Sequence, residues 1–193
     1  AGIGKSFGAL ATAGIDQLDA SDAVTLSATE AAALAGSGVI YTSASSVTLE
    51  DSANAINAVV SFSGYAAKGV DSIHSNSGAI QLSVAQYQSL GAVTVTSTDT
   101  FKLQDTASAI IGLTSAEKTK LVSDGLNEKI VTDSSLSIGD YRSIALIAPA
   151  ATLTLSAATS TLTGTGSALA GLTSTEITQL NAAGLDLVNA SDN

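Results

Sequence analysis

Three aspartates lie close together in the segment GIDQLDASD, at positions 16, 19 and 22. Carboxylate oxygens are hard ligands of the kind that calcium prefers. The segment GLDLVNASD repeats part of this pattern with Asp186 and Asp192. The spacing therefore predicts a calcium site formed by Asp16, Asp19 and Asp22. The alternative interpretation is turn chemistry, because Asp and Asn side chains also bond to nearby backbone groups in tight turns.

The chain offers little material for catalysis. His74 is the only histidine and there is no cysteine, so few residues could form a nucleophile activated by a base. His74 aligns with Asp19 and Asn189, which places it in a predicted polar turn, HSNSG. Acids that could form a hydrolytic pair occupy predicted helix starts, where the helix dipole explains them: Glu30, Glu117 and Glu176. We therefore expect no enzymatic activity, no catalytic residue and no cofactor other than calcium.

A short pattern that starts helices occurs five times along the chain. It reads Leu-[Ser/Thr]-x-x-[Glu/Gln/Asp]-x-x-x-[Leu/Ile], and LSVAQYQSL and LSIGDYRSI are two of its copies. The hydroxyl caps the first turn, and the acid or amide three residues later returns a bond to the cap backbone. The flanking Leu and Ile are expected to hold each helix against a core. The predicted cap residues are Ser27, Ser83, Thr114, Ser137 and Thr173.

A second marker, Gly-apolar-Asp/Asn, divides the chain into repeats. It begins at Gly14, Gly69, Gly125 and Gly184, which are 55, 56 and 59 residues apart. Three full repeats follow from this spacing: 14–68, 69–124 and 125–183. Residues 1–13 resemble the end of a preceding repeat, and residues 184–193 resemble the start of a further one. The whole chain, 1–193, is therefore predicted to be a single repeat array.

Each repeat contains two similar halves, which we call half-repeats, with the order strand, turn, strand, helix. In the second repeat the strands are short, alternating and rich in Val, Ile, Thr and Leu. A half-repeat of roughly 25–30 residues cannot bury its apolar face alone but can do so against identical neighbours. We predict an α/β repeat fold, a parallel β-solenoid-like array with short capped helices at one corner of each coil. The alternative is a row of tandem small α/β units.

Composition restricts the partners. The chain has 193 residues, a net charge of −10 and only 12% charged residues. Nucleic-acid binding needs a basic footprint, which is missing here, and an anionic membrane would repel the chain. No apolar run approaches the roughly 20 residues of a membrane span. We expect no nucleic-acid partner and no membrane insertion.

The segments DTASAI at 105–110 and DSANAI at 51–56 carry a resemblance. Together with the two markers above, they resemble the D-T-A-x-x-I repeats of very large secreted proteins of alphaproteobacteria and their relatives. Those proteins are typically adhesin-like, hemolysin-type or S-layer-like, so the resemblance implies an extracellular or cell-surface location. The third repeat departs from the motif, because Gly164 stands where Asp105 stands in the second repeat. The glycine-rich nonapeptide of calcium rolls is absent, so the family's calcium binding does not carry over.

We expect a non-enzymatic structural or spacer segment of a large extracellular bacterial surface protein. It would serve adhesion, biofilm matrix or surface-layer assembly. Its expected partners are neighbouring repeats of the same protein, or other copies through end-to-end self-association. The alternative is a carbohydrate- or calcium-binding module of a secreted protein, recognising a surface polysaccharide. Sugar sites usually use aromatic side chains, and this chain has four Tyr, three Phe and no Trp.

Overall fold

The computed structural model describes residues 6–192. The chain divides into two compact units, which we call unit 1, ending at Phe101, and unit 2, beginning at Lys102. The division lies within the second half of the predicted second repeat, at the start of its second strand. The predicted repeat ends at 1–13 and 184–193 extend into residues 1–5 and 193, which lie outside the described residues.

Unit 1 alternates short strands with short helices. A 3₁₀ turn, Ala66–Lys68, stands where the second helix of the first repeat lacks its capping pattern. The helices and strands of unit 1 are α1 (Phe7–Thr12), β1 (Gln17–Leu18), β2 (Val24–Leu26), α2 (Ala28–Ala35), β3 (Ile40–Tyr41), β4 (Val47–Ser52), α3 (Ala53–Asn57), β5 (Ser72–Ser77), β6 (Ile80–Leu82), α4 (Val84–Leu90) and β7 (Thr94–Val95).

Unit 2 follows the same alternation, and the first residue of its first strand is the last residue of unit 1. Its elements are β8 (Phe101–Asp105), α5 (Ala107–Ile111), α6 (Ser115–Ser123), β9 (Leu126–Val131), β10 (Ser135–Ser137), α7 (Ile138–Ala145), β11 (Thr152–Leu155), β12 (Thr161–Gly164), α8 (Gly166–Ala170), α9 (Ser174–Ala182) and β13 (Leu187–Ala190).

The strands form parallel pairs. Unit 1 holds the sheet β2-β4-β5-β7 and the separate pair β1-β3, while unit 2 holds the sheet β10-β12-β13 and the neighbours β11-β9-β8. Wherever the register is defined, paired residues lie 22 to 26 positions apart, as in Ser72–Thr94 and Thr161–Leu187. This offset is about one half-repeat. The predicted α/β class is therefore confirmed, with several parallel sheets and no closed barrel within residues 6–192.

The register places like residues side by side in the core of unit 1. Leu26 pairs with Leu49, Leu49 with Ile73, and Ile73 with Val95. All four side chains are buried, so one row of inward positions runs across four strands. Stacking of equivalent apolar residues lets each half-repeat bury a face that it could not bury alone.

The predicted helix caps are confirmed at all five positions. Each cap hydroxyl accepts the backbone N–H three residues later: Ser27, Ser83, Thr114, Ser137 and Thr173. The reciprocal bond closes four of these boxes, through Glu30, Gln86, Glu117 and Glu176. In the fifth, Asp140 accepts from the Ser137 hydroxyl instead. An aspartate is one methylene shorter than a glutamate, which accounts for the weaker fifth box.

One local prediction is wrong. The segment HSNSG does not begin a turn at His74, because β5 continues to Ser77 and the chain bends only at Gly78, where φ is +83°. His74 is therefore a strand residue that pairs with Glu50 of β4. Polar side chains are compatible with a strand at positions that face away from the core.

Candidate functional site

Within residues 6–192, at least six aspartates connect successive half-repeats, and we call these six the bridging carboxylates. Each accepts a hydrogen bond from a backbone N–H that lies 23 to 26 residues earlier, over 2.5 to 3.1 Å. The donors are Ala28, Val47, Ser75, Ala107, Ser160 and Gly166, and the acceptors are, in the same order, Asp51, Asp71, Asp99, Asp133, Asp186 and Asp192.

Three of the six donors share a structural reason for needing a partner. Ala28, Ala107 and Gly166 are the first residues of α2, α5 and α8, where backbone N–H groups have no acceptor within the helix. A carboxylate there also interacts favourably with the positive end of the helix dipole. Hydrogen bonds to charged groups contribute about 1.5–3 kcal/mol each when they are well formed. The acidic composition thus has a direct use in joining half-repeats.

Gly164, the exception to the D-T-A-x-x-I motif, also has a structural explanation. A Cβ added to Gly164 would lie 2.8 Å from Cδ1 of Ile138, the first residue of α7. In unit 1 the corresponding first helical residue is Ala28, which is small and leaves room for Asp51. A side chain at position 164 would therefore require the Ile138 side chain to shift.

The three predicted calcium ligands do not converge. Asp19 accepts a hydrogen bond from the Thr42 hydroxyl at 2.8 Å, whereas Asp16 and Asp22 are exposed and their carboxylates have no hydrogen-bond partner among residues 6–192. Over the same described range, no group of three or more His, Asp or Glu side chains is arranged to hold a metal ion. The calcium site stays a prediction.

His74 lies beside an aspartate in unit 1. Its Nδ1 is 2.9 Å from Oδ1 of Asp99, whose side chain is only 4% exposed. The other carboxylate oxygen of Asp99 accepts the backbone N–H of Ser75. Asp99 therefore lies beside the imidazole and accepts the backbone N–H of the next residue, so both contacts are structural and both are to β5.

A recess in unit 2 is lined in part by a buried lysine. It has a volume of about 480 Å³ and lies between β11, the loop before it and α9. Its polar lining comes from Lys129, Tyr141, Gln179 and Thr154. The Lys129 side chain belongs to β9 and is almost fully buried.

The Lys129 ammonium binds carbonyl oxygens at the C-terminal end of helix α7. Its Nζ donates to the carbonyl oxygens of Ile144 at 3.3 Å, Ile147 at 2.7 Å and Ala148 at 3.3 Å. A cation at a helix C-terminus is stabilised by the carbonyls that lack partners there. Burial nevertheless disfavours the charged form and lowers the pKa of Lys129 to about 8.

Polar contacts on the far side of the recess join α7 to α9. The Tyr141 hydroxyl donates to Oε1 of Gln179 at 2.9 Å. Nε of Arg142 donates to Oε1 of Glu176 at 2.7 Å, and this bond together with the Thr173 cap lowers the pKa of Glu176 to about 2. The lining groups thus bond mainly to one another and to the backbone.

Comparison with known proteins gives no relative: no family model, no curated protein and no solved structure matches the chain. Within the described residues no helix is long and apolar enough to cross a membrane. The function must therefore be argued from the chain itself.

Sequence reasoning missed two features of the sites described above. Asp71 and Asp186 belong to the Gly-apolar-Asp marker and Asp51 to the DSANAI motif, whereas Asp99 and Asp133 belong to neither. No local pattern indicates their backbone donors, which lie 23 to 26 residues earlier. Lys129 was also missed, because lysine is rarely buried and nothing near it in the sequence indicates a partner.

Proposed function

We propose that this chain is a non-enzymatic structural segment of a large extracellular bacterial surface protein. Its half-repeats would stack as coils of a parallel β-solenoid and act as a spacer in adhesion, biofilm matrix or a surface layer. The bridging carboxylates carry this proposal. Of the 17 acidic residues of the chain, these six form hydrogen bonds between half-repeats, with backbone donors 23 to 26 residues earlier.

Other side chains support the same use. The cap acids Glu30, Glu117 and Glu176 close helix starts, and Lys102 pairs with Glu128 at 2.6 Å across neighbouring strands of unit 2. The charged bond to Lys102 lowers the pKa of Glu128. These charged groups stabilise the contacts between neighbouring half-repeats. An array stabilised in this way can be lengthened by adding repeats, which suits a spacer.

Small-angle X-ray scattering tests the proposal, with data extrapolated to infinite dilution. A compact globule of this length has a radius of gyration of about 16 Å. We expect a clearly larger value and a rod-like cross-section profile. A value near that of the globule contradicts the spacer and leaves a compact protein whose unit 2 recess would then need a ligand screen.

A further inference from the structure

Segments 14–23 and 184–193 have nearly the same sequence but different surroundings. GIDQLDASDA and GLDLVNASDN share the glycine, the aspartate two residues later and the run Ala-Ser-Asp. Asp16 thus corresponds to Asp186, and Asp22 to Asp192. Because the two segments have equivalent residues, the strand pairing and the carboxylate hydrogen bonds of one can be compared with those of the other.

On one side, segment 184–193 contacts the half-repeat that precedes it, through β12 and nearby backbone N–H groups. Asp186 accepts from Ser160 N at 2.8 Å, Asp192 accepts from Gly166 N, and β13 pairs with β12. Every residue of β13 is exposed, with Leu187 at 55% and Val188 at 58%. A strand with one neighbour and no buried side chain opens at low free-energy cost.

Segment 14–23 is held from the other side. Its strand β1 pairs with β3 and with no other described strand. Asp16 and Asp22 point to no partner among residues 6–192, although their counterparts Asp186 and Asp192 bond to backbone N–H groups. Within residues 6–192, the second edge of β1 and the two carboxylates of the same segment therefore have no partner.

The interior of unit 1 shows the complete arrangement. There β5, which follows the same Gly-Val-Asp marker, lies between β4 and β7, and its Asp71 accepts from Val47 N at 2.9 Å. Segment 184–193 has the β4-like neighbour, and segment 14–23 has the β7-like neighbour. Each segment therefore has the neighbouring strand that the other segment does not have.

Resting on the proposed function, we propose that segment 14–23 of one copy binds to β12 of a second copy, in place of that copy's segment 184–193. Asp16 then accepts from Ser160 N and Asp22 from Gly166 N, and the order β12-β1-β3 reproduces β4-β5-β7. The surface continues an interface that already recurs within the chain. The contact is head-to-tail, so it propagates into open assemblies rather than closing a dimer.

Two matched double variants test this exchange by sedimentation velocity over a range of protein concentrations. Both remove two negative charges, yet they should act in opposite directions. Asp16→Ala with Asp22→Ala removes the incoming carboxylates and should weaken association roughly tenfold or more. Asp186→Ala with Asp192→Ala loosens the displaced segment and should strengthen association by a similar factor. Equal shifts in both variants, or a wild type that stays monomeric at every concentration, overturn the proposal.

Cysteine pairing checks the register directly, since the chain has no native cysteine. Leu187 is in register with Thr161, and Gln17 corresponds to Leu187. We expect a mixture of the Gln17→Cys and Thr161→Cys variants to form a disulfide-linked heterodimer under mild oxidation. The double variant Thr161→Cys with Leu187→Cys is the intramolecular control. Absence of the heterodimer while the control bonds rejects the exchange, whereas the shape at infinite dilution still tests the spacer on its own.

Discussion

Ile73 in unit 1 and Lys129 in unit 2 occupy equivalent inward positions with opposite chemistry. Each lies four residues after the glycine of its repeat marker, Gly69 or Gly125. Each is almost inaccessible, at 0% and 2% exposure, and each pairs in parallel with the next half-repeat, Ile73 with Val95 and Lys129 with Leu153. One position continues an apolar row, and the other buries an ammonium group.

The difference follows from the loop after the next capped helix along the chain, α4 or α7. Three residues connect α4, which ends at Leu90, to β7, whereas six residues, 146–151, connect α7, which ends at Ala145, to β11. In unit 1 the helix ends at Gly91, with φ at +56°. In unit 2 the longer path leaves carbonyl oxygens facing the sheet, and Lys129 binds them. A buried charge is tolerated here because the loop supplies its partners.

Placing a lysine at position 73, as at position 129, should lower the unfolding free energy more than any other change predicted here. Ile73→Lys buries an ammonium beside a helix that ends in a short glycine turn, so the charge meets no equivalent set of carbonyls. An uncompensated buried charge costs about 3–5 kcal/mol of unfolding free energy. Urea denaturation followed by circular dichroism measures it. The control Ile73→Met keeps an unbranched apolar chain and should cost less than about 1.5 kcal/mol. Similar costs for the two variants would contradict the comparison.

The lowered pKa of Lys129 should be detectable as a change of unfolding free energy with pH. The pKa of Lys129 is about 8 in the folded chain, below the value of about 10.4 for a free lysine. Above pH 8 the unfolded state therefore binds the proton more tightly, and unfolding free energy rises with pH. The gain between pH 8 and 9.5 should be about 1–2 kcal/mol.

The matched control is Lys129→Met, which removes the titrating group and should flatten the curve over this range. Measurements stop at pH 9.5, because burial raises the pKa values of Tyr41, Tyr65 and Tyr141 above 10, and their ionisation lowers stability at higher pH. Parallel curves for wild type and variant between pH 7 and 9.5 would show that Lys129 does not titrate as described.

The local elements could be predicted from the sequence because their signals are local. A Ser or Thr and an acid or amide three residues apart determine a helix start, and Ser27, Ser83 and Thr173 cap helices as expected. The α/β class follows from the same reasoning, since strands and capped helices alternate along the chain. The solenoid remains a proposal, because periodicity does not distinguish stacked coils from tandem units.

The site residues were harder to predict because their partners are distant in sequence. Asp51 was recognised as part of a helix motif, yet it bonds to Ala28, which lies 23 residues earlier. Lys129 depends on carbonyls 15 to 19 residues later, and only the folded loop brings these near. His74 was placed in a turn because its neighbours are Ser and Asn, although a strand also accepts such residues where they face outward.

The smallest predicted effect concerns the loop that gives Lys129 its partners. Ala148 has a positive φ of +42°, which is unfavourable for a residue with a Cβ, and its carbonyl is one of the three that Lys129 binds. Ala148→Gly should relieve this strain and raise unfolding free energy by up to about 1 kcal/mol. Thermal denaturation measures the gain. The control Ala145→Gly lies in the last turn of α7, where φ is helical, so it should destabilise by about 0.5–1 kcal/mol. If both glycines destabilise equally, the loop is not strained at Ala148, and the ammonium of Lys129 is held there without any backbone cost.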